Sequence, residues 1–479
     1  MTAGALLPLW SAPFIEPHQR IDASVTVPGS KSLTNRAFIL AAQSTNECVI
    51  DGALDSRDTR LMADALQQLG CTVDWDSTGS ARVRLSRHTM GEARAHIDCG
   101  LAGTVMRFVP ALCAAAGMHA FFDGDEGARV RPLDALLSAL TSAGARITCH
   151  GEPGFLPFEL DGIPADICGS DGVTNRHAPM TIDVDTHESS QFASALLLSA
   201  PLLATRMNRP VQIRLTGRVV SLPHIQMSVR TLQEWGVTVR SGTDEGGLNG
   251  PDSATCGSTT PTDAQAPSWI IEPELPILSR VAIEPDLSNA GPFIAAALVT
   301  GGQVRIPHWP VHTTQPGDAF RQIAQQMGGQ VNVDADGILC VKGPERGRLL
   351  GVDRDMSDIG ELTPTVAALA AVASTESHLS GISHLRGHET DRVSALRTEI
   401  ERLGGDVTEH PDALTIRPRA LHAADLHTYH DHRMATFGAI IGLVVDGVRV
   451  FDIGTTGKTL PDFVALWQAT VASAESGDQ

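Results

Sequence analysis

The sequence predicts an α/β protein built from internal repeats, and three observations carry that expectation. Two kinds of helix alternate along the chain. Each helix of the first kind, apart from the last, ends at a glycine that leads toward a strand–turn–strand pattern. At 479 residues, with a hydrophobic fraction of 42 %, the chain is long enough for two or three domains with substantial cores.

The first kind of helix is amphipathic. It opens at Leu61 and runs to Gly70, followed by Cys71-Thr72-Val73 and Ala81-Arg82-Val83-Arg84-Leu85. The design returns at Leu133 to Gly144, Ile225 to Gly236, Phe320 to Gly328 and Val393 to Gly404. A terminal glycine takes the left-handed conformation that ends a helix at little steric cost. A last helix, Asp462 to Thr470, lacks the strand pair, and the N-terminal segment is expected to supply it. The second kind is alanine-rich and apolar on nearly every face, so it should be buried. Its six copies span Ser32 to Ala42, Gly103 to Ala116, Ser190 to Leu203, Asn289 to Val299, Thr363 to Ala373 and Arg433 to Val445. Recurrence at intervals of roughly 60 to 100 residues points to repeated α/β units. Residues 241–268, composed mainly of Gly, Ser, Thr, Asp and Pro, read as a flexible insertion, and residues 1–10 as an extended tail.

Charge narrows the function. A net charge of −19 without any basic run argues against nucleic acid, whose phosphates need a positive face. Eight cysteines with no C-x-x-C pair indicate neither a zinc knuckle nor a disulfide framework. The N-terminus has no basic leader region, and no segment approaches membrane-spanning length. The expectation is a reduced, cytoplasmic protein without a membrane partner.

Only three of the 36 basic side chains are lysines, and two of these stand among Gly, Ser and Thr: Lys31 and Lys458. Lysine is a compact charge that can exchange a proton, whereas arginine cannot be deprotonated. The starts of the buried helices gather further polar groups. Ser32, Asn35 and Arg36 follow Lys31, and Gly100, Gly103, Thr104 and Arg107 open the second helix. Ser189, Ser190 and Gln191 open the third, Glu361 the fifth, and His430, Asp431, His432 and Arg433 the sixth. Helix N-termini attract anions, so several together would hold a multiply anionic ligand on an acidic protein. Capping accounts for the hydroxyls but not for Lys31, Arg36, Arg107 and Arg433.

Two other patterns fail. Gly457-Lys458-Thr459 looks like the end of a phosphate-binding loop, but Asp452 stands where that motif requires glycine. His427, His430 and His432 lack the accompanying carboxylate pattern of a zinc enzyme, so no metal or cofactor is expected.

The motifs, taken in order, resemble the 5-enolpyruvylshikimate-3-phosphate synthase family. They are Pro28-Gly-Ser-Lys-Ser-Leu-Thr-Asn-Arg36, Leu101-Ala-Gly-Thr-Val-Met-Arg107, Arg131-Pro132, Ser189-Ser190-Gln191, Glu389-Thr-Asp-Arg392, Asp431-His-Arg-Met434 and Lys458-Thr-Leu-Pro-Asp462. The resemblance implies a two-domain inside-out α/β barrel, each domain made of three repeated sheet-and-helix units. It places residues 21–283 in one domain and residues 1–20 with 284–479 in the other, with a cleft that closes on substrate. It implies transfer of the enolpyruvyl group of phosphoenolpyruvate to the 5-hydroxyl of shikimate 3-phosphate by a monomer needing no cofactor. By position, Lys31, Arg131, Arg392, Arg433 and Lys458 resemble the residues gripping phosphoenolpyruvate, with Gly103 and Thr104 beside it. Ser32, Arg36, Ser189, Ser190, Gln191 and Ser221 resemble the shikimate 3-phosphate contacts. Glu389 and Lys458 are the proton donors so implied, and Glu361 takes the place of the aspartate that accepts the hydroxyl proton. His388 stands among the substrate contacts where lysine is frequent, His224 where tyrosine is frequent, and Leu101 where asparagine is common.

Three rivals are weaker. An enolpyruvyl transferase acting on UDP-N-acetylglucosamine would carry asparagine after its first lysine and cysteine five residues before its Arg-Pro pair; Ser32 and Glu126 stand there. A nucleotide-dependent phosphotransferase needs the loop spacing that fails at Asp452. A catalytically inert binding protein would have no use for both lysines, the motif arginines and both glutamates.

Overall fold

The structure, a computed structural model, describes residues 9–76, 81–85, 94–165, 178–217, 219–242 and 266–476. The greater part of the expected insertion, residues 243–265, lies outside the described residues, as do residues 1–8 of the expected tail. Contacts divide the chain into two units. One comprises residues up to Ser30, Leu54–Arg57 and everything from Glu284; the other comprises Lys31–Ala53 and Asp58–Ile283.

Thirteen α-helices are described: α1 (Lys31–Gln43), α2 (Arg57–Gln68), α3 (Val105–Ala116), α4 (Glu126–Arg129), α5 (Asp134–Ser142), α6 (Ser190–Met207), α7 (Leu222–Glu234), α8 (Leu287–Thr300), α9 (Phe320–Gln326), α10 (Thr363–Ala371), α11 (Arg392–Arg402), α12 (His432–Gly442) and α13 (Phe463–Ala472). The alanine-rich helices are the buried ones. Every residue of α8 and α10 is buried, as is all of α12 except Arg433. Small side chains give such helices no polar face to present to water, so they form the core. The amphipathic helices α2, α5, α7, α9 and α11 lead to Gly70, Gly144, Gly236, Gly328 and Gly404, all with φ between +81° and +104°. That is the left-handed exit expected of a helix-ending glycine.

The unit running from Lys31 to Ile283 contains three four-stranded sheets of one design. Ala95–Asp98 pairs in parallel with His119–Asp123, then antiparallel Phe158–Asp161 and Arg146–Cys149 complete the sheet. Met180–Asp185, Val211–Thr216, Ser268–Ile271 and Val239–Ser241 repeat that order. So do Arg280–Ala282, Cys48–Asp51, Ala81–Leu85 and Cys71–Trp75. Helices α3 and α6 make the parallel crossovers of the first two sheets, since parallel neighbours cannot be joined by a tight turn. Burial alternates along His119–Asp123 and Phe158–Asp161, and Phe122 stacks on Phe158 with ring centroids 5.0 Å apart.

The other unit repeats the design twice in full. Asp22–Ser24, Gln303–Ile306, Leu339–Lys342 and Gln330–Val333 form one sheet. Asp353–Asp355, Ser377–Ser380, Ala413–Arg417 and Asp406–His410 form the next. The third sheet has three strands, with Asp425–Leu426 parallel to Arg449–Phe451 and Leu9–Ser11 antiparallel beside the latter. The N-terminal segment thus fills the place that the chain after α13 leaves open. A short strand, Glu475–Ser476, follows that last helix and pairs with Gln19–Arg20, so the two chain ends are joined twice. Because Asp22–Ser24 pairs with Gln303–Ile306, the first crossing between units falls at Ser30 and Lys31.

Candidate active site

In the unit from Lys31 to Ile283, Lys31, Arg107 and Gln191 stand in the first turns of α1, α3 and α6. Lys31 is the first residue of α1, and its Nζ lies 3.1 Å from Oδ2 of Asp58, a carboxylate buried in the first turn of α2. Asn35 Nδ2 donates to Thr104 Oγ1 at 2.6 Å, tying α1 to the loop that opens α3. Arg107 Nη1 donates to Gln191 Oε1 at 2.9 Å, tying α3 to α6. Ser189 caps α6, its hydroxyl accepting from Gln191 N at 3.2 Å, and Ser190 is buried behind it. Gly103 lies against two guanidinium groups: a Cβ there would stand 2.9 Å from Arg107 Nη1 and 3.0 Å from Arg131 Nη2. Glycine at 103 is what lets the two arginines approach the same backbone. Arg131 is itself buried and donates to the Leu101 carbonyl at 3.3 Å.

Three expected contacts are placed differently from this cluster. Arg36 is buried and donates to Ser228 Oγ at 2.9 Å, to the Ser32 carbonyl at 3.0 Å and to the His224 carbonyl at 3.1 Å. These bonds lock α1 to α7. Ser32 enters the network through its carbonyl. Ser221 precedes α7 with φ +51°, a left-handed conformation that costs a non-glycine residue about 1–3 kcal/mol.

The other unit holds a second cluster at the starts of α8, α10, α11 and α12. Glu361 lies in the short turn Gly360–Leu362 before α10. Its carboxylate accepts from the Ser288 hydroxyl and lies 3.4 Å from Arg433 Nη2. Glu389 has one oxygen 3.0 Å from Lys458 Nζ and the other 2.7 Å from Arg392 Nη2. Arg392 opens α11, donates from Nη1 to His388 Nδ1 at 3.1 Å, and pairs through Nε and Nη2 with Asp431 at 2.7 and 3.2 Å. Burial alone would lower the pKa of Arg392, but Asp431 and Glu389 outweigh it, so the guanidinium stays charged. Asp431 also caps α12, accepting from Arg433 N at 2.8 Å.

The loop before α12 is fastened by a second buried carboxylate. Glu399 accepts from the Tyr429 hydroxyl at 2.6 Å, from His427 N at 3.2 Å and from Arg402 Nε at 3.0 Å. This anchoring holds Tyr429 and His430 at φ +53° and +56°, two successive strained residues just before Asp431. His427 stacks on Phe451 at 4.7 Å, and His430 faces Asp452. Lys458 ends a short turn, Ile453–Lys458, and Thr459 to Asp462 separate it from α13, so no phosphate-binding loop leads into that helix.

Sequence reasoning gave no role to Asp58 or Ser288, no partner to Asp431, and to Arg107 only a place among the anion-attracting helix starts. Arg107 and Asp431 stood inside recognised motifs, but each has its partner on another element. Asp58 reads as an ordinary acidic first turn, and only the fold reveals its lysine.

Solved structures share this architecture. EPSP synthase from Acinetobacter baumannii, in a structure at 2.37 Å, superposes with a TM-score of 0.73 at 19 % identity, over 98 % of this chain and 99 % of that one. A second structure of EPSP synthase from the same organism gives 0.71 at the same identity and coverage. The fold class is therefore that of the enolpyruvyl transferases. Among relatives, 3-phosphoshikimate 1-carboxyvinyltransferase of Kocuria rhizophila is 46 % identical over 473 residues, covering 97 % of each chain. The protein of the same name from Bifidobacterium longum is 41 % identical over 469 residues, covering 96 % of this chain and 97 % of its own. With the family profile matching residues 15–467, the chain belongs to the EPSP synthase (3-phosphoshikimate 1-carboxyvinyltransferase) family.

Proposed function

We propose that this chain transfers the enolpyruvyl group of phosphoenolpyruvate to the 5-hydroxyl of shikimate 3-phosphate, releasing inorganic phosphate, in the shikimate pathway of aromatic amino-acid biosynthesis. The 5-hydroxyl oxygen bonds to C2 of phosphoenolpyruvate as its proton passes to Glu361. The methylene carbon takes a proton from Lys458 or Glu389, giving a tetrahedral adduct. Loss of phosphate from C2, with return of a proton from the methyl carbon, leaves the enol ether. Two proton carriers in different surroundings suit this sequence. Glu361 lies with a hydroxyl and an arginine, and Glu389 lies between two cations.

Lys31, Arg131, Arg392, Arg433 and Lys458 hold the phosphoenolpyruvate anions, with Gly103 and Thr104 beside them. Ser32, Arg36, Ser189, Ser190, Gln191, Ser221 and His388 serve shikimate 3-phosphate. For Arg36, whose hydrogen bonds go to protein, this role is fixing α1 and α7. The observation that most supports the reading is Glu389 held at 3.0 Å from Lys458 and 2.7 Å from Arg392, which joins a proton donor to two anion-binding cations. Catalysis by a cytoplasmic monomer without metal is the finer part of the proposal. Among the described residues no helix is long and apolar enough to cross a membrane.

The test is phosphate release with each substrate alone and with both, in the presence of a chelator. Release only with both, undiminished by chelation, is expected. Release from phosphoenolpyruvate alone would identify a phosphatase instead, and loss of activity on chelation would contradict the metal-free mechanism.

A further inference from the structure

We infer that Asp431 is a positioning residue for the transfer, fixing the plane of the Arg392 guanidinium and the first turn of α12 so that Arg392 and Arg433 meet phosphoenolpyruvate in a set orientation. The inference rests on the proposed role of Arg392 and adds a residue to which sequence and motif reading gave no task.

Asp431 is fully buried, and both of its oxygens are engaged. Oδ2 accepts from Arg392 Nε at 2.7 Å, and Oδ1 lies 3.2 Å from Nη2 of the same group. This side-on, two-point pairing determines the plane of the guanidinium as well as its position. Oδ1 also accepts from Arg433 N at 2.8 Å, which seats the first turn of α12. One carboxylate therefore links the arginine that begins α11 to the backbone of the arginine that begins α12. A buried carboxylate of this kind is costly unless paired, so it holds its partner firmly.

The same guanidinium is also approached by Glu389, which Lys458 shares. With Asp431 neutralised, Glu389 becomes the principal carboxylate partner of Arg392, and the arginine is drawn toward it and away from its seat. Binding of phosphoenolpyruvate then has to restore the orientation. The loss falls mainly on that substrate, because of the residues assigned to shikimate 3-phosphate only His388 is bonded to Arg392, whereas the Ser189–Gln191 segment belongs to a different network.

Asp431→Asn tests this directly. Asparagine keeps an oxygen that can cap α12 but has no charge to orient Arg392. The KM for phosphoenolpyruvate should rise roughly 10- to 100-fold, with kcat and the KM for shikimate 3-phosphate changed by less than about 3-fold. The decisive comparison is a double-mutant cycle with Arg392→Lys. If Asp431 acts through Arg392, D431N changes the KM by less than about 3-fold once Arg392 is gone. Equal effects of D431N in both backgrounds, or a fall in kcat alone, would overturn the inference. If Arg392→Lys itself leaves the KM unchanged, the proposed role of Arg392 fails instead. Should the Asn variant not fold, Asp431→Ser, which also caps without charge, carries the same comparison.

Discussion

Glu389 separates Lys458 from Arg392, and removing its charge leaves two neighbouring cations without their shared partner. Glu389→Gln should lower kcat by roughly 100- to 10,000-fold, the range expected when a general acid is lost, while the thermal midpoint stays within a few degrees. Lys31→Ala should likewise remove most turnover in a folded protein, because the proposed phosphoenolpyruvate site loses its ammonium while Asp58 keeps its negative charge. Steady-state kinetics alongside thermal unfolding separates both outcomes from misfolding. Gly103→Ala places a methyl group 2.9 Å from Arg107 Nη1 and 3.0 Å from Arg131 Nη2, so both guanidiniums must shift. The expected result is a higher KM for phosphoenolpyruvate with an unchanged fold. At this scale much of the candidate site was legible, because Lys31 and Lys458 are rare lysines and the arginines sit in ordered motifs. What stayed hidden were the partners. Lys31 with Asp58, Ser288 with Glu361 and Arg392 with Asp431 each join two elements, and no spacing along one chain encodes such a meeting.

The elements follow from local chemistry more closely. Alanine-rich helices without a polar face had to be buried, and glycines had to end the amphipathic ones. At Gly404 the backbone has φ +81°, and a Cβ would stand 2.7 Å from the His422 ring. Gly404→Ala should cost about 1–3 kcal/mol of stability, read from denaturant unfolding. Burial also sets the alkaline limit of the fold. Cys71 is pushed up to about 12 by burial, and Cys48 to about 11 by burial and then by Asp51. Tyr429 is pushed up to about 12 by burial and then by its bond to Glu399. Their usual values are 9.0, 9.0 and 10.0, so the unfolded chain gives up these protons first. Their contribution to stability is whole below about pH 9 and is lost as pH rises toward 11–12. The thermal midpoint should therefore hold steady through neutral pH and fall above about pH 9. A midpoint that holds between pH 9 and 11 would contradict the buried, neutral state of these groups.

For the whole molecule, five sheets repeat one order of four strands, a parallel pair followed by two antiparallel partners, and a sixth of three strands takes its antiparallel partner from the N-terminal segment. The repeat was visible in helix type and glycine placement although the copies share little sequence, because each copy must solve the same burial problem. The interlacing of the chain was less legible. That Asp22–Ser24 belongs with Gln303–Ile306, and Leu9–Ser11 with Arg449–Phe451, depends on which strand edges remain unpaired after folding. The net charge of −19 likewise conceals the function, since it averages over the whole chain while Lys31, Arg107, Arg392 and Arg433 stand at helix starts. The most direct test of the account is phosphate release from phosphoenolpyruvate and shikimate 3-phosphate, measured for the intact chain and for Glu389→Gln side by side. The account predicts release that needs both substrates and nearly vanishes in the folded variant. Equal release by the two proteins, or none by the intact chain when both substrates are present, would contradict it.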